Sequence, residues 1–552
     1  MPQALFIQLS RLGDCLQSTP LLASWRRRHP HDRVTVLIRP EYAPIFAGSP
    51  DVDEVLPYAP PSAALADEGI GPVDRLNQLH AWVESLKQRQ YQIVINLTHD
   101  PLSSWLAAAL APAENLGLAV DHSGEMRTRD PWGLYTLSLL KYRSTNVLNI
   151  ADCYAHLSGG ASVRDSLLFR LDPQNTRTAE DWLGGRSAGY RCTIGFQPGA
   201  NKVERRWPVD DFVELGRRLA ADGVRVLVFG NKEEDELGRR IAEAVPAALS
   251  FAGRTSIPQL AALLAQCCIL VTNDTGTMHL ASAVGTRVVA LFESSAYFRE
   301  TGPYGPGHWI VQSADVLDYG ERTADELSRI RRIPVDEVYW AVDSLLVELG
   351  NIDTARAPEI ARPLASHFRS TWEDGHLDFY PARPAPLAPD ILCGQLQKPV
   401  WLASLDSADV DARDAAARTL GRLRQHYRES PERGIQEMAT ELQHEVQRIF
   451  PDLSRMKKII LSAVEKLRRN PNHIIPQDRV SELNELERRI LQLQSQPALQ
   501  SFVSYFEIGL AMVEGNKTLQ YLQSYLQPVL LLEKQLRLFD RILDSARNQD
   551  GV

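Results

Sequence analysis

Residues 4–22 read ALFIQLSRLGDCLQSTPLL. The apolar run Ala4–Leu9 ends at Ser10-Arg11-Leu12-Gly13-Asp14, and apolar residues return at Leu16, Leu21, Leu22 and Trp25. A short apolar run, a glycine turn and then an apolar stripe at helical spacing predict strand, turn and helix. The unit recurs. Val34–Ile38 and Val52–Leu56 read as strands on either side of a short helix at Pro44–Ala47, Ala81–Lys87 as helix, and Gln92–Leu97 as an apolar strand. Such alternation predicts a parallel sheet covered on both faces.

The pattern lapses at about 140–190 and restarts with a strand at Arg191–Phe196 and the loop Gln197-Pro198-Gly199-Ala200-Asn201-Lys202. Helices at Val209–Asp222, 232–244, Pro258–Gln266 and Thr277–Val284 alternate with strands at Val224–Phe229, Ala248–Phe251, Ile269–Thr272 and Arg287–Phe292. The expected fold class is therefore α/β, with two Rossmann-like αβα domains (1–170 and 171–350) facing a cleft. Residues 351–400 hold seven prolines and little periodicity, and read as an extended linker. After residue 400 helical stripes dominate: Leu483, Leu486, Ile490 and Leu493, then Leu522, Leu526, Val529, Leu532, Leu536, Phe539 and Leu543. Ser501–Val513 is apolar almost all round, so it needs cover within a bundle or against a partner. Residues 401–552 read as an all-α interaction domain serving self-association or partner recognition.

Composition narrows the function. The 552 residues are 44% hydrophobic and 23% charged, which excludes a disordered chain, and the net charge of −9 argues against a dedicated nucleic-acid binder. Residues 351–552 carry 26 basic and 27 acidic side chains, so nearly all of that negative charge belongs to the αβ part. The six cysteines lack metal or disulfide spacing, and buried thiols in a reducing compartment are expected. The start lacks a signal-peptide pattern and no run of 18 apolar residues occurs, so the expected location is cytoplasmic, with at most peripheral contact with the inner face of the inner membrane.

Three segments, in order and spacing, resemble the signatures of the heptosyltransferase-like family, glycosyltransferase family 9. They are Ser10–Asp14 with Ser18-Thr19-Pro20, Pro198-Gly199-Ala200 followed by Glu204-Arg205-Arg206-Trp207-Pro208, and Thr272-Asn273-Asp274-Thr275-Gly276-Thr277-Met278-His279-Leu280. The resemblance spans about residues 3–345. It implies a GT-B fold, a bacterial cytoplasmic enzyme with an ADP-heptose-like sugar nucleotide as co-substrate, inversion at the sugar carbon, no required metal or other cofactor, and a glycan or protein acceptor.

The same resemblance assigns the roles, beside which each residue has a plainer reading. Asp14 is implied as the catalytic base; as an Asp at a helix start it equally suits a cap. Gly13 sits on a turn that lets backbone approach a ligand. Asp274, Thr275, Gly276 and Thr277 open a helix, whose free amides and partial positive charge suit a diphosphate; the same residues also make an ordinary capped turn. His279, within that first turn, either reaches the leaving phosphate or is structural. Asn201, Lys202 and Arg205 belong to the expected donor loop, with Arg206 beside them. Arg205 stands where many relatives carry lysine, and a guanidinium holds a phosphate through two hydrogen bonds; a solvated basic loop is the alternative. Glu234, four residues after Gly230, matches a carboxylate that contacts the donor nucleoside, or else forms a surface ion pair.

Two DxD strings, Asp51-Val52-Asp53 and Asp409-Val410-Asp411, are set aside as metal motifs, since neither follows a core strand aimed at a cleft. Trp25-Arg26-Arg27-Arg28-His29 reads as a helix end whose charge suits the dipole, with contact to anionic lipid as the alternative. Relatives carry a Gly-Pro-Thr-like turn after the third signature, whereas this chain has Phe292-Glu293-Ser294-Ser295-Ala296 ahead of Thr301-Gly302-Pro303-Tyr304-Gly305. That changes backbone freedom and charge near the expected sugar pocket and leaves the donated sugar open. Two rival readings stand beside transfer: a GT-B sugar-nucleotide epimerase, and a catalytically silent scaffold binding a partner through its helical tail.

Overall fold

The computed structural model describes residues 1–60, 72–128, 130–139, 146–163, 166–184, 189–292, 297–313, 333–358, 360, 363–383, 385, 387, 389–406, 408–427, 431–471, 473–496, 498–511 and 518–548. The chain forms two compact units, Met1–Met126 with Asn149–Ala382, and Arg127–Leu148 with Arg383–Val552.

The first unit holds two large sheets. Strands β1 (Gln3–Gln8), β2 (Arg33–Ile38), β3 (Glu54–Pro57), β4 (Ile93–Asn96) and β5 (Glu114–Gly117) lie in the order β3-β2-β1-β4-β5, all parallel. The second sheet is built from β6 (Cys192–Gln197), β7 (Val224–Val228), β8 (Leu249–Ser250), β9 (Ile269–Asn273), β10 (Arg287–Phe292), β11 (Trp309–Ser313), β12 (Ala365–Glu373) and β13 (His376–Pro381). Its order is β8-β7-β6-β9-β10-β11-β12-β13, parallel as far as β11 and antiparallel beyond. Every residue of β7, β9 and β11 is buried, as strands covered on both faces require. These are the two αβα halves of a GT-B fold. Strand order reverses between β1 and β4 and again between β6 and β9, and crevices outside the carboxyl ends at such reversals receive ligands in open α/β sheets. All three sequence signatures sit there.

One expectation is corrected. The stretch 351–400 is not an extended linker: it contains the hairpin β12–β13, which widens the second sheet, and most of the helix Pro389–Leu405. Prolines misled the reading because of where they fall. Pro381 closes the edge strand, a position a sheet tolerates, and Pro399 lies within the helix. The hairpin is anchored by Glu337, whose carboxylate accepts the backbone N–H groups of Leu364 at 2.5 Å and Ala365 at 2.9 Å.

The helix Ile150–His156 ties the two sheets of this unit together. It packs on the helix Thr19–Arg28, while its buried Asp152 accepts the Tyr304 hydroxyl at 2.6 Å and the Leu377 N–H at 2.9 Å. One turn on, His156 and His376 meet Nε2 to Nε2 at 3.0 Å. The basic helix end has local partners: Arg26 pairs with Asp53 at 2.6 Å, Arg28 donates to Ser158 and the Ala161 carbonyl, and His29 stacks on Trp25. Asp53 thus serves Arg26 and the Val34 N–H, and Asp411 caps the helix Ala412–His426. None of the six cysteines is in a disulfide; Cys15, Cys153, Cys267 and Cys393 are buried, whereas Cys192 and Cys268 are only half-buried.

The second unit is helical, and it takes Arg127–Leu148 out of the stretch expected to complete the first αβ domain. Its helices are Pro131–Ser138, Pro389–Leu405, Ala412–His426, Pro431–Arg469, Gln477–Gln492, Gln500–Ala511 and Thr518–Arg547. The last runs against four others, burying Leu522, Leu526, Val529, Leu532, Leu536, Phe539 and Leu543. Trp401 stacks on Phe502 and meets Tyr505 and Tyr135, and Trp132 Nε1 donates to Asp406 at 2.8 Å. The apolar helix at 501–513 is therefore covered within the bundle at Phe502–Phe506 and Gly509, Ile508 and Leu510 are half-buried and Ala511 is exposed; Met512 and Val513 lie outside the described residues. Among the described residues no helix is long and apolar enough to cross a membrane.

Candidate active site

Strand β1 delivers its chain into a short helix, Leu12–Gln17, with Asp14 in the first turn. Asp14 does act as a cap, since Oδ2 accepts the Arg11 N–H at 3.1 Å. Its carboxyl pKa is nonetheless raised above the ordinary aspartate value. Burial is the dominant cause, and the Arg11 N–H together with the charges of Arg11 and His99 pulls part of the way back. A carboxylate moved toward neutrality is better matched to taking a proton from a hydroxyl. The same charge reaches two neighbours: burial first, then Asp14, pushes up the phenol of Tyr154 and the thiol of Cys15. Tyr154 was not legible as a site residue. It is one apolar-looking position among several on a buried helix, and only packing puts it beside Asp14.

In the second sheet, the ends of β6 and β9 converge. Asn273 is fully buried; its Nδ2 donates to the carbonyls of Pro198 at 2.9 Å and Gly199 at 3.2 Å, and its Oδ1 accepts the Trp207 N–H at 3.0 Å. One side chain therefore locks the turn of the second signature to the strand of the third. Trp207, buried against Phe212, fixes the far side through Nε1 to the Ile333 carbonyl at 3.0 Å. Gln197 bridges both elements, accepting from Thr277 Oγ1 at 3.1 Å and donating to Glu234 Oε2 at 3.1 Å. A buried polar residue at the last position of a strand is the signal that marks Asn273 and Gln197, neither of which the sequence reading singled out.

Glu234 is buried beneath the Pro198-Gly199 turn, where Oε2 also accepts the Asn231 N–H at 2.9 Å. Any Cβ on Gly199 would lie 1.9 Å from Glu234 Oε1. It is therefore not a surface ion pair but part of the floor of the loop. Arg205 pairs with Asp274 at 3.0 Å, both half-buried, and Arg206 Nε donates to the Ala200 carbonyl at 3.0 Å. Lys202 is half-buried and Asn201 exposed on the loop, so the cations line one lip. Thr275 precedes the helix Gly276–Ala283 without a side-chain cap, its hydroxyl 3.2 Å from that of Thr272. His279 is buried, its Nδ1 has no hydrogen-bond partner among the described residues, and burial lowers its pKa to about 4, so the ring is neutral at pH 7.

The two sheets meet through glycines. A Cβ on Gly13 would fall 2.7 Å from His279 Cδ2, and one on Gly276 would fall 3.0 Å from Leu12 Cβ. Neither glycine has the positive φ that demands one; each is a point of close approach. Asp14 thereby stands one residue from the contact with the helix that opens at Gly276. Gly13, Asp14, Gly276, Thr277 and His279 are brought together; Arg205, Asp274 and Glu234 form the adjoining half, with Lys202 and Asn201 further out on its loop. Residues 293–296, where the turn departs from relatives, lie outside the described residues.

Residues 79–322 match the model of glycosyltransferase family 9 (heptosyltransferase). The chain is 23% identical over 340 residues to lipopolysaccharide heptosyltransferase 3 of Escherichia coli, an alignment covering 60% of this chain and 96% of that protein. It is 27% identical over 306 residues to lipopolysaccharide heptosyltransferase 2 of Salmonella typhimurium, covering 53% and 83%. Among solved structures, the E. coli ADP-heptose lps heptosyltransferase II aligns at a TM-score of 0.49 and 20% identity, over 63% of this chain and 99% of that one.

Proposed function

We propose that this chain, which carries a heptosyltransferase-type glycosyltransferase family 9 domain followed by a helical region, transfers a heptose from an ADP-linked donor to a hydroxyl of a lipopolysaccharide-type glycan, with inversion. The observation that supports it most is the contact of Gly13–Asp14 with the helix that opens at Gly276, because it sets a carboxylate of raised pKa beside a helix N-terminus and a cationic loop. In this reading the diphosphate lies on the amides at Thr275–Thr277, with Arg205 and Lys202 at its oxygens and Glu234 toward the nucleoside. Asp14 accepts the proton of the acceptor hydroxyl, whose oxygen attacks the anomeric carbon from the face opposite the diphosphate. The bond to the diphosphate oxygen breaks, and that oxygen keeps the electron pair. His279, neutral, serves as a hydrogen-bonding wall rather than a charge. Turnover needs no metal in this scheme, because Arg205, Lys202 and helix amides supply the positive potential.

The test incubates the full chain with ADP-heptose and heptose-deficient lipopolysaccharide in excess chelator, measuring ADP release and the anomeric configuration of the product. Acceptor-dependent ADP release with inverted configuration is expected. Nucleotide release without acceptor would instead mark an epimerase-like reaction, absence of both release and donor binding a scaffold, and transfer to a co-purified polypeptide a protein acceptor.

A further inference from the structure

In the helical unit, the helix Pro431–Arg469, the segment after it and the start of Gln477–Gln492 line a cavity of about 250 Å³, with Lys458, Ile459, Lys466, His473, Ile475 and Arg479 among its lining residues. Its chemistry is one-sided. Four lining side chains are lysine, arginine or histidine, and none is a carboxylate. Arg479 shares Glu482 with Arg455, and Glu465 is taken by Arg469, but Lys458 and Lys466 have no ion pair among the described residues. Those two lysines, eight residues apart, stand ~12 Å apart along one helix face with Ser462 halfway between, a gap two lysine side chains can close onto one anion. Ile459 and Ala463 are apolar and buried, and Ile474, between the lining residues His473 and Ile475 in the chain, is 84% exposed. The region's charge agrees: residues 451–500 carry nine basic and six acidic side chains, although the whole helical tail is nearly balanced.

We propose that this cavity binds the phosphate of an amphiphilic ligand, the lysines and Arg479 holding the anion while Ile459, Ile475 and the exposed Ile474 receive its apolar part. Cations beside apolar lining residues suit neither a neutral sugar nor a free inorganic ion, and an isoleucine left in water beside them gains by entering hydrocarbon. Two sources share this chemistry: a phospholipid headgroup within a bilayer, and a discrete phosphorylated amphiphile in solution.

The experiment uses the full chain in two arms. Flotation is measured with phosphatidylcholine vesicles with and without phosphatidylglycerol, and binding is titrated with monomeric dihexanoyl-phosphatidylglycerol. Each lysine near an anionic surface contributes about fivefold, so Lys458→Gln/Lys466→Gln should lose about 25-fold in binding. Lys458→Arg/Lys466→Arg should retain it, Ile474→Ser should weaken it, and added salt should weaken it further. A control, Lys534→Gln/Arg541→Gln, removes equal charge from another helix of the same unit. Loss confined to the cavity variants supports the site, in the vesicle arm as a bilayer contact and in the monomer arm as a discrete ligand pocket. Equal loss in the control, equal binding to neutral vesicles, or an unchanged Gln pair in both arms would overturn it.

Discussion

Replacing Gly13 by alanine isolates the contact on which the catalytic arrangement rests. The new Cβ would lie 2.7 Å from His279 Cδ2, about 0.8 Å inside the ~3.5 Å at which carbons attract. Relief by a flexible chain end is not available, because the atom it meets belongs to a buried ring in the first turn of a helix whose Thr277 is itself tied to Gln197. Overpacking of this kind costs roughly 1–3 kcal/mol. If the halves separate instead of straining, the same energy is lost from the closed state, so transfer should fall by ~5- to 150-fold. Urea unfolding and kcat/KM, measured on Gly13→Ala, His279→Ala and the double variant, form a cycle. The double variant has space for the methyl group, so it should resemble His279→Ala alone, with a coupling energy of at least ~1 kcal/mol. An alanine variant of native stability and native turnover would refute the contact and, with it, the account of why Gly13 is glycine.

Asp14→Asn should lower transfer by ~10²–10⁴-fold while donor affinity stays near native, and the acid limb of the native pH profile should lie above the ordinary aspartate range, since activity is lost as pH falls through the raised pKa; near-native turnover would remove Asp14 from the mechanism. Arg205→Ala should weaken ADP binding far more than adenosine binding by calorimetry, and equal weakening would place Arg205 away from the phosphates. Burial holds His279 near 4 and His308 near 3, so the unfolded chain takes up protons first as pH drops below the ordinary imidazole value of 6.5; each ring should cost about 2 kcal/mol of stability between pH 7 and pH 5 by urea titration, and replacing either should flatten that slope. Truncation at about residue 395 should leave an aggregation-prone protein, because the helix Pro131–Ser138 loses the bundle formed by residues after 383; a monodisperse product with an unchanged melting temperature in light scattering would contradict that dependence.

Local rules carried the αβ part of the fold a long way. Runs such as Val34–Ile38 and Ile269–Thr272 are too short and too apolar for anything but buried strands between helical stripes, and a glycine turn after a strand is readable from its neighbours alone. The three signatures were legible for the same reason, being contiguous strings at strand ends. What the sequence left open were matters of distance between segments far apart along the chain. Asp14 is both cap and raised carboxylate, and its shift comes from burial that only the packed cleft supplies. Glu234 turned out to lie under Gly199, and Asn273 to clamp Pro198 and Trp207, because two strand ends separated by 75 residues are brought side by side. Composition failed where position mattered more than residue type. Pro381 falls at the end of an edge strand and Pro389 and Pro399 in a helix, so a proline-rich stretch forms two strands of a sheet, and a helix at 131–138 joins a bundle whose other members begin 250 residues later. Periodicity specifies which face of an element is apolar; which other element covers that face is decided by burial competing across the whole chain, and only the tertiary structure records the outcome.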